Sequence, residues 1–307
     1  MYKSFQDLFV TPTDKNPLKY EGETTGGSWT EGRLVCESEQ LSFPVEDGIP
    51  LFVEKTSDPW ADENQRAVAM ARLGIPAEQL IRYNYEGLLD WPDRGRYDYW
   101  IQSIIAHGGT LLELACGPGG GFTPLILDEN PEAAILLSDL GEWILRQWQK
   151  LSRELNRWPN LSFAQFDITR SPLKANSFDA VDSFGGISNV AGGAIAILES
   201  FRVLKPGGRL FMVDATPATK QFEALPKEIQ AEIRHNFPAI GKGYEKLVAE
   251  AGFEIIDFEE TSRRKLEPGE SNLADIAGKY DIEMQIQFFN LEDLRNDWQV
   301  RNINNNI

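Results

Sequence analysis

An acidic residue and four glycines stand close together in the segment LLELACGPGGG, residues 111–121. Glu113 interrupts an apolar run of the kind that forms a buried strand, and it precedes Gly117, Gly119, Gly120 and Gly121. Because glycine has no Cβ, a strand that ends in glycines before a helix lets the backbone approach a ligand closely. The spacing therefore predicts a binding loop for a nucleotide-like cofactor.

The charge of this loop bears on which ligand it binds. Written as Ala115-x-Gly117-x-x-Gly120, it approximates the fingerprint of dinucleotide-binding loops. However, Pro118 removes a backbone donor from the turn, and the Glu113 carboxylate would repel a pyrophosphate. The same carboxylate attracts a ligand that carries an ammonium and a sulfonium group, directly or through water. We therefore expect S-adenosylmethionine as the cofactor, with a nucleotide-dependent dehydrogenase as the weaker alternative.

Two aspartates follow the next apolar runs at spacings that suit a nucleoside. Asp139 lies about twenty residues beyond the glycines, where a carboxylate can accept hydrogen bonds from both ribose hydroxyls. Asp167 ends the run in FAQFDIT, where it can accept from an adenine amino group while Ile168 covers the ring. The plainer interpretation is a strand-end or cap aspartate at 139 and a turn aspartate at 167.

The elements that must position these residues alternate between strands and helices over residues 110–260, which predicts βα units around a mostly parallel sheet. The predicted strands cover residues 110–115, 133–138, 161–166, 178–184, 208–214, 253–260 and 283–289. The predicted helices cover residues 120–128, 141–156, 192–204 and 241–251. The last two strands are joined by loop residues, so the sheet should finish with an antiparallel edge. The fold class is thus α/β: a Rossmann-like, seven-stranded, mostly parallel sheet with helices on both faces and an antiparallel final strand.

We predict four segments along the chain. Residues 1–58 form a small β module, 59–108 a helical cap, 109–300 the cofactor-binding domain, and 301–307 a frayed tail. The cap is rich in aromatic rings, which either pack in the core or roof a binding cleft. These rings are Tyr83, Tyr85, Trp91, Tyr97, Tyr99 and Trp100.

The composition narrows the class of protein. The chain has 307 residues, of which 42% are hydrophobic, so it can bury a sizeable core. Its net charge of −17 and the lack of a long basic run argue against a nucleic-acid partner. No apolar stretch approaches the roughly 20 residues of a membrane helix, and the first twenty residues lack a signal-like apolar region. With only Cys36 and Cys116 as cysteines, we expect a cytoplasmic protein, and a homodimer is compatible with the sequence.

Four stretches together resemble the class I S-adenosylmethionine-dependent methyltransferases, in particular the branch of ubiquinone and menaquinone biosynthesis. They are LLELACGPGGGF, SDLGEWILRQ, FDITRSPLKANSFDAV and ESFRVLKPGGRLFMVD, and they cover roughly residues 95–260. Alanine stands at 115, where the family's loop usually has its first glycine, and KPGG (205–208) is read as a structural turn before the fifth strand. The resemblance implies a cofactor site in which the methionine moiety meets Glu113, Ala115 and Gly117, the ribose meets Asp139 and Leu140, and the adenine meets Asp167 and Ile168. Cys116, within the same loop, is also expected to contact the cofactor.

The amino-terminal segment LVCESEQLSFPVEDGIPLFVE (34–54) resembles the second half of a zinc-ribbon module, in which two Cys-x-x-Cys pairs hold the metal. Here Glu39 replaces the second cysteine of the pair that would begin at Cys36, and both histidines, His107 and His235, are remote in sequence. Structural zinc needs about four nitrogen or sulfur ligands. We therefore predict a metal-free module held by its apolar residues Leu41, Phe43, Val45, Ile49, Leu51 and Phe52.

The expected reaction needs positioning more than acid–base chemistry, because the leaving group of a sulfonium is a neutral thioether. Ser183 and Phe184, after the fourth strand, should contact the cofactor. Ser188 or Asn189 either meets the substrate or belongs to a plain loop. His235 is our hypothesis for a general base, against the alternative of a solvated histidine at a helix end.

The acceptor is expected to be oxygen or carbon of a small, apolar or aromatic metabolite, either specialised or quinone-like. The alternative function is that of a catalytically silent homologue that binds the cofactor or a partner protein.

Overall fold

The main sheet of the chain has seven strands. The computed structural model describes residues 1–54, 76–89, 95–190, 192–217, 219–236, 243–260, 284–293 and 295. The strands of this sheet are β5 (Thr110–Glu113), β6 (Ala134–Asp139), β7 (Leu161–Gln165), β8 (Phe178–Phe184), β9 (Leu204–Pro217), β10 (Phe253–Glu260) and β11 (Met284–Asp293), in the order β10-β11-β9-β8-β5-β6-β7. Strands β5 to β9 are parallel, and β11 is antiparallel to both of its neighbours. The predicted fold class is confirmed.

The prediction of an antiparallel edge is wrong in one respect. The antiparallel final strand β11 lies between β9 and β10, so the edge of the sheet is β10, which runs parallel to β9. The buried side chains of Phe288, Phe289 and Leu291 on β11 are typical of a strand in the interior of a sheet. The exposed pattern of β10 suits an edge strand.

Helices cover both faces of the main sheet, as predicted. They are α1 (Leu80–Leu89), α2 (Gly95–His107), α3 (Thr123–Glu129), α4 (Glu142–Leu155), α5 (Gly193–Val203), α6 (Thr219–Ala224), α7 (Lys227–Asn236) and α8 (Tyr244–Ala251). Apolar residues of α1 to α4 form one buried cluster, and those of α5 and α8 belong to a second cluster. Helix α3 begins at Thr123 rather than at 120, because Gly120 and Gly121 have positive φ angles.

The KPGG segment lies inside β9 instead of before it. Phe178 pairs with Leu204 and Ala180 pairs with Arg209, so residues 205–208 form a bulge in the ladder. The Lys205 ammonium, bonded at 2.8 Å to both carboxylate oxygens of Asp179 on β8, fixes this bulge. The segment is therefore structural, as expected, but the strand begins at Leu204 rather than at residue 208.

The amino-terminal residues form an antiparallel sheet, β1 (Lys19–Thr25), β2 (Ser28–Cys36), β3 (Leu41–Glu46) and β4 (Ile49–Pro50), here called the N-terminal sheet. It shares its core with the main sheet: Phe5 stacks on Phe178 at 6.1 Å, and the Phe52 N–H donates to the Gln165 carbonyl of β7 at 3.0 Å. Residues 1–54 and the main sheet thus pack as one body in the described chain, whereas the predicted domain boundaries stay a prediction.

The apolar residues named for this module are not equally buried. Val45, Ile49 and Leu51 lie in the core, and Phe43 packs on Phe52. Leu41, the first residue of β3, is 40% exposed and so contributes less to holding the module than predicted. No group of three or more His, Cys, Asp or Glu side chains that could hold a metal ion is found among the described residues.

The aromatic cap divides into packed and exposed rings. Tyr85, Tyr97 and Trp100 are buried, whereas Tyr83 and Tyr99 are 58% and 56% exposed. Trp91 lies outside the described residues, as does the tail 301–307. Among the helices that the structure describes, none has the length and apolarity that crossing a bilayer requires.

Candidate functional site

The predicted site residues meet at the carboxyl edge of the main sheet. Glu113 is the last residue of β5, and Asp139 is the last residue of β6. Asp167 lies two residues after the end of β7, next to Phe166. Because parallel strands end at the same edge, these residues lie along the edge at which open α/β sheets bind ligands. The structure therefore brings these three acidic positions together.

The segment from Leu114 to Phe122, here called the glycine loop, needs its glycines for two different reasons. A Cβ on Gly120 would lie 2.4 Å from the Trp148 ring, and a Cβ on Gly121 would lie 2.0 Å from the Glu113 carboxylate. A Cβ on Gly117 or Gly119 would meet nothing within 4 Å. The loop is thus crowded on its protein side and open at 117 and 119, where a ligand has room to approach.

Ala115 adopts a conformation that favours glycine. Its φ angle is +51°, in the left-handed region that alanine rarely occupies. The structure thus gives a physical reason for the glycine that related loops usually carry at this position. Its Cβ is also the atom that a side chain on Gly186 would meet at 2.9 Å.

Asp139 fastens the glycine loop to β6. Its Oδ2 accepts the Gly117 N–H at 2.7 Å, and its Oδ1 accepts the Gly141 N–H at 2.8 Å. These hydrogen bonds give Asp139 a structural role, and the ribose contact stays a prediction beside it. Leu140, the other predicted ribose contact, follows directly and is half-buried.

Cys116 is buried within the loop and contributes through its backbone. Its N–H donates to the Ser138 carbonyl at 2.9 Å, and its Sγ lies 3.9 Å from Oδ2 of Asp139. Burial, followed by the charge of Asp139, raises the pKa of the Cys116 thiol well above its usual range. A thiol that stays protonated is a weak nucleophile.

Asp167 caps a short 3-10 helix, Ile168–Arg170. Its Oδ1 accepts from the N–H of Thr169 at 2.9 Å and from the Thr169 hydroxyl at 2.7 Å. Ile168 is buried in the core beneath this turn. The hydrogen bonds of Asp167 are thus those of a turn aspartate, while its contact with adenine stays a prediction.

The end of β8 and the turn after it line the adjoining part of the edge. Ser183 is buried, and Phe184 is half-buried with its ring 5.2 Å from Phe122 and 5.5 Å from Tyr97. The exposed Asn189 donates through Nδ2 to the Gly185 carbonyl at 2.6 Å. Aromatic rings from the cap, the loop and β8 therefore meet beside the glycine loop.

The two histidines have different positions. His107 bonds through Nε2 with the Asp179 carbonyl at 2.8 Å, near the start of β8 and opposite the candidate site, so it does not reach the candidate site. His235 belongs to the last turn of α7, and its side chain lies outside the described residues.

Two buried carboxyls of the site were missed in the sequence. Asp182 on β8 stands opposite Glu113 of β5, and Asp214 on β9 accepts the Ser188 N–H at 3.0 Å. Both interrupt apolar strands, which is the signal that singled out Glu113. Burial raises the pKa of Asp214 to about 7, and this carboxyl holds the turn after β8 in place.

Two replacements of Asp214 distinguish the effect of its hydrogen bond from the effect of its charge. Asp214→Leu is expected to lower the free energy of unfolding by about 1–3 kcal/mol, because the buried N–H of Ser188 loses its acceptor. Asp214→Asn keeps an acceptor oxygen and should lose less. Urea unfolding followed by circular dichroism measures both variants, and equal losses would contradict the assigned hydrogen-bond role.

The donors and acceptors of the loop decide which cofactor it suits. The N–H groups of Gly117, Gly120 and Phe122 already donate to Asp139, to the Cys116 carbonyl and to Glu113. A phosphate would need such donors to be free. Oε1 of Glu113, in contrast, is buried and receives no hydrogen bond from any described group other than the facing Asp182 carboxyl. The residues present thus suit a ligand with positive charge.

Comparison with known proteins identifies the family. A family model described as a methyltransferase domain matches residues 112–212. The ubiquinone/menaquinone biosynthesis C-methyltransferase UbiE of Edwardsiella ictaluri is 30% identical over 140 residues, which span 46% of this chain and 55% of that protein. UbiE of Yersinia pestis is 30% identical over 179 residues, which span 55% of this chain and 69% of that protein. The crystal structure of MccD protein aligns with a TM-score of 0.49 and 16% identity, over 64% of this chain and 96% of that chain.

The chain belongs to the class I S-adenosylmethionine-dependent methyltransferases. Among these, it is similar to the C-methyltransferases of ubiquinone and menaquinone biosynthesis named above. The family match begins at residue 112, so it does not bear on the resemblance of residues 34–54 to a zinc ribbon.

Proposed function

We propose that the chain transfers a methyl group from S-adenosylmethionine to carbon or oxygen of a small, apolar or quinone-like metabolite. The observation that carries the cofactor assignment is the glycine loop, in which the N–H groups of Gly117, Gly120 and Phe122 donate within the protein. A buried oxygen of Glu113, in contrast, receives no hydrogen bond from any described group other than the facing Asp182 carboxyl. The relatives named as C-methyltransferases support a carbon acceptor.

The chain's own residues supply position and a dry environment for this reaction. The bound cofactor supplies an electrophilic methyl group on a positively charged sulfur. Glu113 offers negative charge beneath the methionine end, and Asp139 orders the loop and offers acceptors for the ribose. Gly117 leaves open space beside them, where the cofactor has room to approach the backbone.

The acceptor is expected to bind against the rings beside the loop. Phe184 is half-buried and contacts the buried rings of Phe122 and Tyr97, and Asn189 is exposed at the next turn. Such a wall suits a flat apolar molecule and desolvates the methyl donor. His235 remains our candidate for a general base, because α7 lies between the fifth and sixth strands, where a substrate lid would be placed.

Asp139→Ala tests the cofactor site directly. It should weaken the binding of S-adenosylhomocysteine by about 1–3 kcal/mol, through loss of the ribose acceptor and of the loop anchor. Titration calorimetry measures this affinity, with the exposed Asp7→Ala as a control expected to leave it unchanged. Unchanged affinity in Asp139→Ala removes the assignment, and binding of NAD(P) without S-adenosylhomocysteine contradicts the proposed function itself.

A further inference from the structure

Two carboxyls face each other beneath the glycine loop. Glu113 on β5 and Asp182 on β8 are direct partners in the parallel ladder, so their side chains project from the same face of the sheet. Both residues are 0% exposed. Next to them, Leu137 on β6 and Phe211 on β9 occupy the same row, so apolar side chains flank the pair on both sides.

The hydrogen bonds of this pair are incomplete. Oε2 of Glu113 accepts from the Phe122 N–H at 2.9 Å and from the Thr123 hydroxyl at 3.4 Å. Oε1 of Glu113 and both oxygens of Asp182 receive no hydrogen bond from any other described group. Neither carboxyl takes part in an ion pair of the described chain. A buried charge without a partner is costly, so the two groups are stable together when they share a proton.

The surroundings of the pair favour that proton. The titratable groups nearest to it are the Cys116 thiol in the loop, which feels the charges of both Asp139 and Glu113, and the Asp139 carboxyl at the end of β6, and neither of them is cationic. Burial raises the pKa of Glu113 to about 7. Burial and then the Glu113 charge raise the pKa of Asp182 well above its usual range.

We propose that Glu113 and Asp182 share one proton and together form a site that attracts a positively charged ligand bound at the glycine loop. This inference rests on the proposed function, in which that charge is the sulfonium and ammonium of the cofactor. The pair releases its proton to solvent when positive charge occupies the loop, and one carboxylic acid becomes a carboxylate. It takes a proton back when the methyl group has left and the sulfur is neutral, which weakens the hold on the product.

The direction of the pH dependence follows from this exchange. Because binding of the cofactor releases a proton, its affinity should rise with pH through the range in which the free protein still holds that proton. The slope is at most about tenfold per pH unit for one proton released. Above that range the pair is already ionised, and the affinity should level off.

Titration calorimetry of S-adenosylmethionine at pH 7, in two buffers of different ionisation enthalpy, counts the protons released. The native protein should release more protons than Asp182→Asn, since the ligand's own amino group contributes equally to both. The difference between the two proteins should be smaller with S-adenosylhomocysteine, whose sulfur carries no charge. Equal proton counts in the native protein and in Asp182→Asn would overturn the proposal.

A second measurement uses the protein without cofactor, so it tests the pair even if the proposed function fails. The folded pair holds a proton that the unfolded carboxyls lose near pH 4, so its contribution to stability is present below that pH and is lost as the pH rises towards about 7. The thermal midpoint of the native protein minus that of Asp182→Asn should therefore decrease as the pH rises over this range. Asp182→Val serves the same comparison if the asparagine variant does not fold, and a flat difference contradicts proton sharing.

Discussion

Gly121→Ala is expected to weaken the binding of S-adenosylhomocysteine by about 30-fold or more and to lower the free energy of unfolding by roughly 2–4 kcal/mol. The new Cβ would lie 2.0 Å from Oε1 of Glu113 and 2.1 Å from its carboxyl carbon. The φ angle of +60° adds a backbone cost of about 1 kcal/mol for any residue with a side chain. Because Glu113 is enclosed on all sides, it cannot retreat without breaking its bond to Phe122.

The neighbouring Gly119→Ala is the matched control for this prediction. A Cβ at 119 meets nothing within 4 Å, and the φ angle is not in the left-handed region. Its stability should change little, and a modest loss of cofactor affinity would locate the ligand beside this residue. If Gly121→Ala bound S-adenosylhomocysteine as tightly as Gly119→Ala does, the position assigned to Glu113 would be wrong. Titration calorimetry and thermal unfolding supply both readouts.

Gly186→Ala is expected to push the turn after β8 away from the glycine loop. A Cβ there would lie 2.6 Å from Oγ of Ser183 and 2.9 Å from both the Ala115 Cβ and the Leu114 carbonyl. Since the φ angle of Gly186 is −78°, the cost is steric alone, about 1–3 kcal/mol of unfolding free energy. We expect a larger loss in kcat than in stability, because displacement of the turn after β8 moves the acceptor wall relative to the methyl donor.

Two further variants separate crowding from backbone strain at this turn. Gly185→Ala places its Cβ in open space but at a φ angle of +70°, so it should show only the backbone cost of about 1 kcal/mol. Combining Gly186→Ala with Ser183→Ala removes the nearest clashing atom and should recover part of the lost stability. Additive effects in the double variant, measured by urea unfolding, would contradict the contact.

The sequence predicted the seven strands well because each is a short apolar run bounded by turn residues. Strand order was harder: nothing local in residues 283–289 shows that β11 enters between β9 and β10. That position depends on contacts between distant segments, which periodicity does not record. Likewise, the bulge at KPGG depends on the Lys205 bond to Asp179, which lies on another strand.

The site was predictable where a residue type is out of place, and less so where partners decide its role. Glu113 stood out as an acid in an apolar strand, and the same criterion would have found Asp182 and Asp214. The glycines were assigned to ligand approach as a group. Only the structure shows that Gly120 and Gly121 are required because a Cβ there would clash with Trp148 and Glu113, whereas Gly117 and Gly119 face open space.

The bond between Phe52 and Gln165 has a consequence for the solubility of the catalytic part. Strand β7 is the outer strand of the main sheet, and Leu51 bridges to it in parallel while the Tyr2 N–H donates to Ser162 Oγ at 2.6 Å. The amino-terminal segment thus shields an edge that would otherwise present unpaired backbone groups to other chains. This cover opposes edge-to-edge aggregation. A fragment that begins near residue 109 would expose the β7 edge and lose part of its core.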